Sequence, residues 1–67
     1  MSVAKVMEIS ASSSKSFDDA VKKGISRASK SVRGISGFWV QDQKGIVSKN
    51  GKIKEYRVSL KVSFVLE

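Results

Sequence analysis

The chain has 67 residues with no cysteine and no histidine, which excludes disulfides, thiolate or imidazole metal sites and histidine-based acid–base catalysis. Thirteen Lys and Arg against six Asp and Glu give a net charge of +7, a balance that suits an anionic partner such as nucleic acid, a phosphorylated cofactor or an acidic surface. A chain this short is expected to form one domain, 1–67, and to bury only about 60% of its unfolded surface, so oligomerisation is the remaining route to stability.

VAKVMEIS (3–10) reads as a first strand, with Met7 and Ile9 inward and Glu8 outward. The N-terminal run is too short and too interrupted for a signal peptide or a membrane span, so a cytoplasmic location is expected. ASSSKS (11–16) reads as a serine-rich loop entering a helix. Ser16 suits the N-cap, and Asp18 and Asp19 suit the positive end of the helix dipole.

From Phe17 the apolar residues recur at Ala20, Val21, Ile25, Ala28 and Val32, with Gly24 in the same stripe. This spacing predicts an amphipathic helix of about four turns. Lys22, Lys23, Arg27, Ser29 and Lys30 occupy its other face. Lys30 and Arg33 favour the C-terminal end, where Gly34 can supply the C′ stop. Gly24 costs up to about 1 kcal/mol relative to alanine, and its place in the stripe predicts a close approach to a sheet.

A middle strand is expected over 36–48, followed by an Asn50-Gly51 two-residue hairpin turn. The last stretch, IKEYRVSLKVSFVLE (53–67), alternates. Tyr56, Val58, Leu60, Val62, Phe64 and Leu66 share one face. Arg57, Ser59, Lys61 and Ser63 share the other, with Val65 its one apolar member. Fifteen residues at about 3.3 Å each make a strand of roughly 50 Å, whereas a compact chain of this size has a radius of gyration of about 11 Å. Such a strand must curve around the helix or project and pair with another copy. The fold class is α+β, in the order β-α-β-β, with a three-stranded antiparallel sheet on one helix.

Strand register decides the place of Trp39, the only tryptophan. An ideal two-residue loop sets Trp39 opposite Val62 on the inner side and turns Phe38 and Val40 outward. One extra residue in the middle strand reverses this, and Gly45 is the expected bulge. Phe38 and Val40 then pack on the helix, while Trp39 and Gln41 join Arg57, Ser59 and Lys61 on the open face. An indole there is either an interface anchor or a plate for a flat ligand.

The β-α-β-β order, the SFDDAV helix, the SVRGISGFWVQDQKG segment and the ending KEYRVSLKVSFVLE together resemble the dodecins, over nearly the whole chain. The resemblance implies a three-stranded antiparallel sheet wrapped around one helix. It also implies a cytoplasmic homododecameric shell that sequesters flavin, riboflavin or FMN, and is not an enzyme. Dodecin flavins stack in pairs between tryptophans of symmetry-related subunits, with a glutamine at the ring edge. Aligned through FxVxxxxG, that tryptophan falls on Gly37; aligned through EY-x-V, the glutamine falls on Arg57. Neither role carries over directly. Trp39, two residues further along the same face, is the candidate for a displaced plate. Arg57 offers donors only, for a flavin carbonyl or a phosphate. The candidate ligand-binding residues are therefore Trp39, Arg57, Gln41 and Gly37.

Two other readings stand beside this one. A dodecin-like shell without flavin would bind ions, or anionic ligands such as coenzyme A, through clustered Lys61 and Arg57. Glu8, Asp42 and Glu55 are the carboxylates open to a hard cation, without the spacing of a calcium loop. A nucleic-acid-binding module suits a pI near 10.1, but the RNP pattern is absent and the lysines are spread along helix and strands alike. Paired carboxylates, GxGxxG and GK[ST] are all missing, so no catalytic or metal residue is assigned.

Overall fold

The computed structural model describes residues 3–66. Strand β1 (Val3–Ser13), helix α1 (Phe17–Ser31), strand β2 (Ile35–Val47) and strand β3 (Ile53–Leu66) follow in the expected order. β3 is central and pairs antiparallel with β1 on one side and β2 on the other. Its alternation explains this position. Val58, Leu60 and Val62 are exposed by only 2%, 0% and 0% and form the floor of the core.

The apolar stripe of α1 lies on that floor, with Ala20, Gly24 and Ala28 buried. Small residues bring the backbones close, as the sequence suggested for Gly24. A Cβ built there would lie 3.0 Å from Ala11 Cβ and 3.2 Å from Leu60 Cδ1. At the entry to the helix Phe17 meets Tyr56 edge to face, with ring centroids 5.0 Å apart. Ser16 caps α1 as expected, its Oγ accepting from the Asp19 amide at 3.0 Å.

Three expectations need correction. The serine-rich patch is not a loop throughout: Ala11 to Ser13 extend β1, since Ala11 and Ser13 pair with Val58 and Tyr56 on the helix side. Ser13 is buried there, and its hydroxyl donates to Asp19 Oδ2 at 2.5 Å and accepts from the Lys15 amide at 2.9 Å. The helix stops with extended Val32 as its C-cap, whose amide bonds the Ala28 carbonyl at 2.9 Å. Gly34 therefore lies two residues beyond the cap rather than at C′. Its φ of +77 turns the chain into β2, where its carbonyl accepts from the Val65 amide at 3.1 Å.

The third correction concerns register. The β2–β3 turn has three residues rather than two. The Ser48 amide bonds the Lys52 carbonyl at 2.9 Å, the Gly51 amide bonds the Ser48 carbonyl at 3.0 Å, and Gly51 takes φ +84. Lys54 is then an extra residue in β3, and Gln41 and Ser36 are extra residues in β2. Gly45 pairs with Tyr56 in an unbroken stretch, so the bulge that orients Trp39 is at Gln41, not Gly45. The outcome for Trp39 is the expected one: it opposes Lys61, while Phe38 opposes Val62 and Val40 opposes Leu60.

Phe38 and Val40 share the helix side of the sheet but are not covered by the helix, which packs on β1 and β3. They remain 47% and 40% exposed. The chain measures 53 × 19 × 13 Å, with a radius of gyration of 13.9 Å. Its long strands thus project instead of closing around α1, whose fifteen residues span only about 22 Å.

Candidate ligand-binding face

The sheet face away from α1 is built in rows, each with one residue from β1, β3 and β2. Val6, Ser63 and Gly37 form the first row, and Glu8, Lys61 and Trp39 the second. Ser10, Ser59 and Asp42 follow, then Ser12, Arg57 and Lys44. Alternation along each strand produces this: the residues between these rows point to the core. Three of the four residues singled out in the sequence, Trp39, Gly37 and Arg57, are thereby brought to one face.

Trp39 is 51% exposed, beside Lys61. Lys61 Nζ reaches Glu8 Oε2 at 3.5 Å on its other side, so Lys61 stands between Glu8 and Trp39 in the row with its ammonium drawn to the carboxylate. Gly37 sits one row away opposite Ser63, whose Oγ bonds the Gly37 carbonyl at 3.3 Å. A Cβ at Gly37 would lie 3.4 Å from that hydroxyl. The missing side chain leaves a low spot next to Trp39.

Arg57 lies four residues from Lys61, roughly 13 Å along an extended strand. Its Nε donates to Glu55 Oε1 at 2.8 Å. That contact holds the Glu55 carboxyl below its ordinary range and raises the guanidinium further. Lys44 stands opposite Arg57 on β2 and Ser12 opposite it on β1. Ser10, Ser12, Ser59, Asp42, Lys44, Glu55 and Arg57 line an open depression of about 380 Å³. Hydroxyls, two cations and two carboxylates make it a polar bowl with no net formal charge, in which Lys44 is the cation without an ion pair among the described residues.

Gln41 does not join this ladder. It is the bulge residue, without a partner on β3, and Asp42 takes the place beside Ser59. Ser10, Ser12 and Lys44 were missed as site residues, and Asp42 was considered only as a carboxylate for a hard cation. A bulge at Gly45 would have put Asp42 and Lys44 on the helix side; moving it to Gln41 keeps Trp39 outward and turns these two outward as well. No apolar alternation marked them, because Asp42, Gln43, Lys44 and Gly45 offer no apolar side chain and Ile46 continues their outward phase.

The arrangement offers a flat apolar plate at one end and a polar bowl of mixed charge at the other. Among the described residues no three of His, Cys, Asp and Glu gather as a metal site. No described helix is long and apolar enough to cross a membrane.

Residues 3–67 match the family model described as Dodecin. The dodecin of Thermus thermophilus is 34% identical over 65 residues, covering 97% of this chain and 93% of that protein. The crystal structure of an arginine-to-alanine mutant of T. thermophilus dodecin superposes with a TM-score of 0.92 at 33% identity, over 100% of this chain and 98% of that one. The calcium dodecin of Mycobacterium tuberculosis, described as a calcium-chelating antigen with a novel calcium-binding site, is 37% identical with a TM-score of 0.83, over 97% and 91% of the two chains.

Proposed function

This chain belongs to the dodecin family, and from that premise we propose that it is a cytoplasmic homododecameric store for FMN or riboflavin, held on the open sheet face. The observation that carries this reading is Trp39, half-exposed on a polar sheet face between the low spot at Gly37 and the bowl at Arg57 and Lys44. An isoalloxazine ring stacks on the indole. The ribityl phosphate of FMN runs along β3 towards the row of Arg57 and Lys44, where Lys44 has no acidic partner among the described residues. Lys61 lies beside the stack, where its ammonium can donate to a ring carbonyl. Exposed Phe38 and Val40, on the sheet side that α1 leaves bare, support burial against other copies.

A flavin-free shell holding an anionic ligand such as coenzyme A is the second reading, favoured by the Lys44–Arg57 pair alone. Calcium, the ligand of one relative, does not fit a single copy of this chain. A hard cation takes six to eight oxygens, and Glu8 and Glu55 each face a basic side chain instead. Titration with riboflavin and FMN, read by flavin and Trp39 fluorescence with native mass in parallel, tests the proposal. Quenching of both signals at twelve-fold assembly is the expected result, with the flavin quenching lost in Trp39→Ala. A dodecamer whose two signals do not respond leaves the flavin-free reading.

A further inference from the structure

The ligand face uses the sheet, and the solvent side of α1 has no part in it. Beyond the first turn, every exposed residue of α1 is a lysine, an arginine or a serine. Two i, i+4 rows run side by side: Lys22, Ser26 and Lys30, and next to them Lys23, Arg27 and Ser31. Along the sequence the basic residues look scattered, but the helix gathers them. Four of the thirteen Lys and Arg lie on α1, Lys22, Lys23, Arg27 and Lys30, and its two acidic residues, Asp18 and Asp19, are confined to the first turn. One of those two, Asp19, is already held by Ser13 at 2.5 Å and Lys23 at 3.2 Å. Among the described residues Lys22, Arg27 and Lys30 make no ion pair.

We infer that this face of α1 is a docking surface for the phosphodiester backbone of nucleic acid, independent of base sequence and separate from the flavin site. Lys22 to Lys30 span about 12 Å of helix axis, over which duplex DNA presents one negative charge per about 1.7 Å. Each cation therefore meets a phosphate, and the serine hydroxyls between them add donors to phosphate oxygens. The face carries no Asn or Gln beyond its first turn, so it lacks the bidentate readers of adenine, and its cations and hydroxyls are the groups that position a protein on phosphates. An anionic bilayer would also attract the charge, but a helix bound to a membrane surface sinks its apolar side. The apolar side of α1 is committed to the sheet through Ala20, Gly24 and Ala28. Charge without insertion favours the nucleic-acid backbone. The inference does not depend on flavin binding.

Fluorescence anisotropy of a labelled duplex with the full-length protein, across a salt series, tests it. Log affinity is expected to fall linearly with log salt. The triple variant Lys22→Gln, Arg27→Gln, Lys30→Gln should lower the slope by about two to three for each helix engaged. The triple variant Lys49→Gln, Lys52→Gln, Lys54→Gln removes equal charge at the hairpin and should leave the slope as in the parent, with circular dichroism confirming the fold of both. Absence of duplex binding at low salt, or equal losses in the two variants, overturns the proposal. Tighter binding to vesicles rich in phosphatidylserine than to the duplex at the same salt overturns it in favour of a membrane surface.

Discussion

Lys44 stands directly opposite Arg57 across the β2–β3 ladder, with both side chains on the open face. Like charges in this relation repel. Glu55 relieves Arg57 at 2.8 Å, while Lys44 has no acidic partner among the described residues. Lys44→Gln should stabilise the ligand-free protein by roughly 0.2–1 kcal/mol in urea denaturation. It should also weaken FMN about tenfold, as loss of one charge-assisted contact implies, and leave riboflavin nearly unchanged. Equal losses for both ligands would remove the phosphate from this pair.

The close approach of Gly24 to Ala11 sets the distance between helix and sheet. In an ordinary helix Gly24→Ala would stabilise by up to about 1 kcal/mol. Here the added methyl meets Ala11 Cβ at 3.0 Å and Leu60 Cδ1 at 3.2 Å, and overpacking typically costs about 1–3 kcal/mol. A net loss of about 1–2 kcal/mol is expected. Adding Ala11→Gly should recover part of that loss, because the shortest contact disappears. Strict additivity of the two changes in thermal or urea unfolding would show that the Ala11 contact is not the cause.

Asp19 ties the end of β1 to the first turn of α1. The Ser13 hydroxyl and then Lys23 hold its carboxyl below the ordinary value of 3.8. A carboxyl whose folded pKa is depressed stabilises the fold above its unfolded pKa, and this contribution is lost as pH falls through the folded pKa. Acid unfolding should therefore have a limb below about pH 4 that flattens in Asp19→Asn, a variant also less stable than the parent at neutral pH. Identical acid limbs in the two proteins would dissociate Asp19 from the transition.

Two single deletions test the register. Val40 pairs with Leu60 and Asp42 with Ser59, so removing Gln41 closes the ladder without moving either flank. The shortened chain should fold with Trp39 still solvent-facing, seen as an unchanged emission maximum in the ligand-free protein. Gly45 sits inside an unbroken stretch, between Lys44–Arg57 and Ile46–Glu55. Its removal forces a one-residue slip that reverses every side chain on one flank, and loss of cooperative unfolding is expected. The opposite ranking of the two deletions would return the bulge to Gly45.

These deletions also mark what could be read in advance. The alternation from Tyr56 to Leu66 and the stripe from Phe17 to Val32 fix a central strand and a helix because each pattern fits one period only. Trp39 was placed on the correct face through a bulge in the wrong position, since glycine signals permissiveness but does not compel a bulge. That position hid the outward turn of Asp42 and Lys44, and with it one side of the polar bowl. Ser10 and Ser12 were hidden for another reason: serine serves equally in a loop and on the polar side of a strand, and their neighbour Ser13 is buried only because Asp19 comes round to meet it. The exposure of Phe38 and Val40 had no local signal, because it depends on which strands α1 reaches.

A helix of about 22 Å cannot roof a sheet in a molecule 53 Å long. In the proposed assembly the bare remainder of the sheet is cohesion held in common by several copies and by no single chain. Dilution then acts as a denaturant. The melting temperature should climb with protein concentration, and two preparations compared at unequal concentrations would seem to be different proteins.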